Sequence, residues 1–131
     1  MTGLDTNVLV RFLVEDDRRQ TDRVHRFLAR SRTLGERVYI SAVVLCETVW
    51  VLRSGYAKSR AEILEAVQQL LSTDIFLVEE EDSVRAALLL CRTGKADFAD
   101  CLIGQIHLAR ACRSTVTFDR SLSATPGFTI L

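Results

Sequence analysis

Val38-Tyr39-Ile40-Ser41-Ala42-Val43-Val44-Leu45-Cys46-Glu47-Thr48-Val49-Trp50-Val51-Leu52 is the most apolar stretch of the chain, and Glu47 is its only charge. Val38 to Ile40 reads as a short strand, with Ser41 as N-cap of a helix over Ala42–Arg53. A helix apolar on nearly every side is expected to be buried on nearly every side. An unpaired carboxylate in such a place costs several kcal/mol even after relaxation. Glu47 is therefore expected to meet a cation, take up a proton, or lie at the edge of a cleft. Arg53 cannot be its partner, because six residues along a helix puts it on another face.

Working outward, Thr2-Gly3-Leu4 reads as a first strand and Asn7 to Val14 as a short helix. Arg18 to Arg32 follows as a charged helix with a narrow stripe of Val24, Phe27 and Leu28. Ser59 can cap the next helix, whose Ile63, Leu64, Val67, Leu70 and Leu71 keep an amphipathic spacing. Ile75 to Val78 is a strand, Asp82 to Arg92 and Phe98 to Ala111 are helices, and Ser114–Thr117 and Phe128–Ile130 are short final strands. Strands alternating with helices predict an α/β fold, its parallel sheet covered on both faces. Ligands of such sheets bind beyond the carboxyl ends of the strands. One proline (Pro126), no repeat and no linker predict a single domain over residues 1–131.

The 131 residues are 48% hydrophobic and 26% charged, and 17 basic residues balance 17 acidic ones. Such a chain can bury a proper core, and it has no bulk positive charge with which to hold nucleic acid. Cys46, Cys91, Cys101 and Cys112 are scattered through apolar segments without a C-x-x-C pair, so they read as small buried hydrophobes. The start, Met1-Thr2-Gly3-Leu4-Asp5, has no signal-peptide character, and no apolar run reaches the roughly 18 residues of a membrane span. A cytoplasmic protein is expected.

Four acids follow apolar segments in a way that invites comparison. Asp5 follows the first strand, Glu47 lies in the helix after the second, Asp100 opens a helix with Asp97 before it, and Asp119 follows Ser114-Thr115-Val116-Thr117-Phe118. All but Glu47 have a plain structural alternative. Asp5 or Thr6 can cap a helix, Asp97 and Asp100 resemble a capping box, and Asp119 suits a turn. Glu47, in mid-helix, has neither option. Two carboxylates about 4 Å apart repel by roughly 4 kcal/mol at an effective dielectric of 20. Four that converged would need shared protons or a divalent cation. Oxygen donors alone favour Mg²⁺, with Mn²⁺ as a substitute. Zinc is disfavoured, since His25 and His107 fall in unrelated helices and read as surface or half-buried residues. Magnesium held by acids suits attack of activated water on a phosphodiester. No glycine-rich phosphate loop is present to suggest triphosphate hydrolysis.

With Leu4-Asp5-Thr6-Asn7-Val8-Leu9-Val10, Ser41 to Glu47, Ala96-Asp97-Phe98-Ala99-Asp100-Cys101-Leu102-Ile103 and Thr117-Phe118-Asp119-Arg120 in order, the whole chain resembles a PIN domain, most like the VapC-type toxins. The resemblance implies a three-layer α/β fold, with a short, mostly parallel central sheet flanked by helices on both faces. It also implies a Mg²⁺-dependent endoribonuclease whose Asp5, Glu47, Asp100 and Asp119 are catalytic and bind metal, accompanied by Asp97. Thr6, Asn7 and Thr117 would orient those carboxylates. Arg11, Arg92, Lys95 and Arg120 flank the acids and are candidates for RNA phosphate contact. A homodimer is implied, as is a VapB-like antitoxin lying in an apolar groove on the Ala42–Arg53 and Ser59–Leu71 helices and covering the acids. Cys101 and Gly104 stand where many relatives have alanine. Gly104 costs about 1 kcal/mol in a helix interior, and close packing on the sheet would compensate.

Two other classes compete. One is a phosphatase with Asp5 as nucleophile, against which the missing second acid of a D-x-D motif counts. The other is a non-catalytic module whose acids hold a structural ion, bind RNA or form a receiver-like pocket.

Overall fold

Strand β1 (Thr2–Gly3) leads into helices α1 (Thr6–Leu13) and α2 (Arg18–Thr33), then strand β2 (Val38–Ile40), helices α3 (Ala42–Ser54) and α4 (Arg60–Ser72) and strand β3 (Phe76–Val78). Helices α5 (Glu81–Thr93) and α6 (Phe98–Ala109), strand β4 (Thr115–Thr117), a single 3₁₀ turn (Arg120–Leu122) and strand β5 (Phe128–Ile130) complete the chain. The computed structural model describes all residues from Met1 to Leu131. It divides into two compact units, Met1–Glu79 and Glu80–Leu131. The α/β class and the parallel strands are as expected. No helix is long and apolar enough to cross a membrane.

In the first unit the three strands are parallel in the order β1-β2-β3. Val38 pairs with Thr2 on one side and Phe76 on the other; Ile40 pairs with Val78. Alternation along β2 and β3 buries Val38, Ile40, Phe76 and Val78, while Tyr39 and Leu77 stay partly accessible. The serine caps are where the sequence put them. Ser41 accepts from the Val44 N–H at 3.2 Å, and Ser59 forms a full capping box with Glu62. Helix α4 buries Ile63, Leu64, Val67 and Leu70 as its spacing predicts.

Helix α3 corrects the first expectation. It buries Leu45, Thr48, Val49 and Leu52, which recur at i, i+3, i+4 and i+7. On another face Val43 is 72% and Trp50 61% exposed, and Glu47 between them is exposed as well. Glu47 is not a buried charge. An apolar composition specifies how much of a helix can be buried, not which stripe is, and this helix leaves valine and tryptophan in water beside the carboxylate.

In the second unit β4 and β5 pair in parallel, from Thr115 with Phe128 to Thr117 with Ile130. Gly104 of α6 is buried, and a Cβ added there would stand 2.8 Å from Cε2 of Phe128 on β5. The close packing expected at this glycine is thus an approach of helix to aromatic ring. Helix α6 stops at Ala109, two residues short of the expected end, and Ala111 takes a left-handed turn at φ 63°. The cysteine expectation holds for the buried Cys91 and Cys101, partly for Cys46, and fails for Cys112, which lies exposed after that turn.

Candidate functional site

Asp5 occupies the N-cap position of α1 with extended backbone (φ −86°, ψ 160°), yet its side chain makes no capping hydrogen bond. Its carbonyl oxygen receives the Val8 and Leu9 N–H groups instead. The buried Leu4 and Leu9 hold the backbone on either side, and the exposed carboxylate is left to solvent. The plain capping role considered for Asp5 is therefore not the one its side chain plays.

Thr6 does not cap the helix either. Its hydroxyl donates to Glu47 Oε2 at 2.5 Å, across 41 residues of sequence. This bond joins the first turn of α1 to the exposed face of α3 and brings Glu47 beside the Asp5-Thr6 pair. A carboxylate offers about four lone-pair positions. One bond from Thr6 fixes its orientation and leaves it able to serve as a donor to a hard cation. Asn7 is exposed in the same turn. A cleft of about 700 Å³ opens alongside, lined by Asp5, Asn7, Arg11, Gln20, Arg23 and Phe27 among others. Asp5 lines it while Thr6 and Glu47 do not, so the cleft borders the acidic edge on the Asp5 side.

Arg11 is engaged. Its Nε donates to Gln20 Oε1 at 2.7 Å, and its Nη1 donates to Tyr56 Oη at 3.0 Å and forms an ion pair with Asp16. The tyrosine hydrogen bond and the nearby aspartate raise the guanidinium pKa above its ordinary value. Tyr56, Asp16 and Gln20 were not among the sequence candidates. Tyr56 sits 45 residues from Arg11, and no short-range pattern announces such a pair.

In the second unit Asp97 is the N-cap of α6, again without a side-chain capping bond, and Asp100 is half-buried in the first turn. The capping-box alternative for this pair is not realised. Phe98, Cys101 and Leu102 are buried and hold that turn in place. Asp119 behaves otherwise. It caps the 3₁₀ turn, accepting from the Ser121 N–H at 2.9 Å and hydroxyl at 2.6 Å, as its turn reading predicts. The Ser121 hydroxyl, then its N–H, hold the Asp119 pKa below the usual carboxylate value. Thr117 stands beside Asp119 but accepts from its backbone N–H at 3.0 Å rather than touching the carboxylate. Arg92, Lys95 and Arg120 are exposed at the end of α5, between α5 and α6, and in the 3₁₀ turn. His107 is half-buried, its Nδ1 2.8 Å from the Thr115 hydroxyl, and His25 is exposed near Glu15.

Neither unit alone gathers three or more His, Cys, Asp or Glu side chains into a metal cage. The donors at this edge, the Thr6 hydroxyl bonded to the Glu47 carboxylate and the Asp5 carboxylate next to Thr6 in the chain, are all oxygens. That fits a hard divalent ion and not a thiolate- or imidazole-seeking one.

A model of the PIN domain family matches residues 4–127 of the chain. The VapC ribonuclease of Aquifex aeolicus (strain VF5) is 29% identical over 120 residues, covering 92% of this chain and 88% of that protein.

Proposed function

The chain belongs to the PIN domain family, and from that premise we propose that it is a Mg²⁺-dependent endoribonuclease, the toxin of a toxin–antitoxin pair. The observation that carries the reading is the Thr6–Glu47 hydrogen bond. It joins two motifs 41 residues apart into one oxygen-rich edge, with the uncommitted Asp5 carboxylate next in the chain.

In this reading Asp5 and Glu47 hold the ion from the first unit. The family pattern assigns Asp100 and Asp119 to the same task, with Asp97 as companion. Bound Mg²⁺ lowers the pKa of a coordinated water and neutralises charge on phosphoryl oxygens. The chain's own residues supply orientation. Thr6 fixes the Glu47 carboxylate, and the packed Leu4 and Leu9 fix the backbone of Asp5. Hydrolysis would leave a 5′-phosphate and a 3′-hydroxyl.

A VapB-like antitoxin, a homodimer and a cytoplasmic setting belong to the same proposal. The exposed Val43 and Trp50 on either side of Glu47 support an apolar partner there. The apolar residues of α4 mostly face the core, so the proposed groove narrows to α3.

Cleavage of labelled RNA by purified protein, with Mg²⁺ and with EDTA, tests the reading. Asp5→Asn should abolish Mg²⁺-dependent cleavage while leaving the circular dichroism spectrum unchanged. Cutting by Asp5→Asn at the wild-type rate would sink the assignment.

A further inference from the structure

Arg11 carries more interactions than a solvent-facing arginine needs. Three acceptors from three segments meet its guanidinium: Asp16 in the α1–α2 connection, Gln20 in the first turn of α2, and Tyr56 just past α3. The side chain is 25% exposed and Asp16 45%. An ion pair this accessible contributes little to stability, typically about 0–1 kcal/mol. Its value lies in what it joins.

Arg11 is in the last turn of α1, and Tyr56 follows Gly55, the C-cap of α3. The turn that presents Tyr56 is itself fixed, because the Lys58 N–H donates to the Leu52 carbonyl at 2.9 Å and Ala57 is left-handed at φ 51°. Helices α1 and α3 are therefore tied twice. Thr6 holds Glu47 at the start of α1, and Arg11 holds Tyr56 at its end. The ties lie five residues apart on α1, roughly 7.5 Å at 1.5 Å per residue. Buried Leu9 and Val10 anchor the middle of α1, and the two polar ties hold its two ends.

We propose that Arg11 and Tyr56 are positioning residues for the acidic site, bracing α1 against α3 so that the Thr6–Glu47 bond and the adjacent Asp5 keep one geometry. This rests on the metal-dependent reading above. It also gives Arg11 a different task from RNA phosphate contact. Gln20 has a part in the brace, since its own N–H is held by the Asp17 cap at 3.0 Å while its side chain receives Arg11 Nε.

The test uses the full chain and its Tyr56→Phe, Arg11→Lys and Arg11→Ala variants. Mn²⁺ affinity is read from the electron paramagnetic resonance signal of free Mn²⁺, and kcat and KM from RNA cleavage. Losing one such hydrogen bond in Tyr56→Phe should weaken Mn²⁺ binding about two- to tenfold. It should lower kcat with KM for RNA unchanged, and Arg11→Lys should not restore either property to Arg11→Ala. Two results would overturn the brace. One is a raised KM in the arginine variants with wild-type Mn²⁺ affinity, as phosphate contact requires. The other is a lowered Tm in all variants with Mn²⁺ affinity and kcat intact, as mere scaffolding requires. If the wild-type chain neither binds Mn²⁺ nor cuts RNA, the underlying reading fails and takes the brace with it. That outcome is distinct from a wild type that does both and a Tyr56→Phe that matches it.

Discussion

Phe128 closes over Gly104 so tightly that the smallest added side-chain atom would stand 2.8 Å from its ring. Two effects of a Gly104→Ala substitution oppose each other. Alanine would gain about 1 kcal/mol of helix propensity. Overpacking a buried contact costs typically about 1–3 kcal/mol. Because Gly104 is buried and the 2.8 Å approach is closer than van der Waals contact, we expect the clash to win. Urea denaturation should give a lower midpoint for Gly104→Ala than for wild type. A higher midpoint would mean that Phe128 moves aside without loss.

Removing the Thr6 hydroxyl should uncouple Glu47 from α1 with little effect on the fold. Glu47 is exposed, so its bond to Thr6 is screened by water and worth less than a buried charge-assisted bond. Thr6→Val is expected to change unfolding free energy by no more than about 1 kcal/mol. Mn²⁺ affinity should fall severalfold in the same protein. Equal affinity in isothermal titration would show that Glu47 does not need this bond to bind metal.

Glu47→Gln separates the charge from its surroundings. A lone buried carboxylate would make the substitution stabilising. The exposed position removes that expectation, and the change in stability should lie within about 0.5 kcal/mol, as for ordinary surface substitutions. Metal binding should nonetheless drop, because a glutamine amide supplies one neutral oxygen. A Tm that rose by many degrees without metal would return Glu47 to a desolvated site.

Acid should destabilise the chain through identifiable groups. The Ser59 backbone and hydroxyl lower the Glu62 pKa, Arg32 lowers that of Asp74, and Ser121 lowers that of Asp119. A carboxyl whose folded pKa is depressed adds stability that is present above its unfolded pKa. That stability is lost as pH falls through the folded value. The window therefore opens below about pH 4, where unfolded Asp and Glu titrate. Glu62→Gln should flatten the acid limb of a stability–pH curve below about pH 4, while leaving its neutral limb parallel to wild type. An unchanged acid limb would rule out a Glu62 contribution.

Much of this molecule can be read from residue order. The serines that cap α3 and α4, the apolar runs of β2 and β3 and the stripe of α4 are local signals, and each is realised locally. The exposed face of α3 is not, because Val43 and Trp50 look like core residues until the neighbouring elements are in place. The fate of a cap is equally hidden. Asp5, Asp97 and Asp119 all precede a helical turn, yet only Asp119 spends its carboxylate on that turn. Sequence offers the N-cap, and the competition for each carboxylate is decided in three dimensions. Arg11 shows the same limit. Its charge and its place beside the acids in sequence suggest phosphate contact, but the partners that occupy it are Asp16, Gln20 and Tyr56.

The four cysteines amount to a built-in clock for local opening. Cys112 is exposed and should react at once with a thiol reagent in the native protein. Cys46, in the first unit, is partly buried, and its thiol pKa is pushed up by that burial, so the reactive thiolate is scarce. Cys91 and Cys101 are buried in the second unit and become reactive only when its helices part. Counting labels by mass against denaturant would thus record the opening of each unit separately, without engineering a single residue.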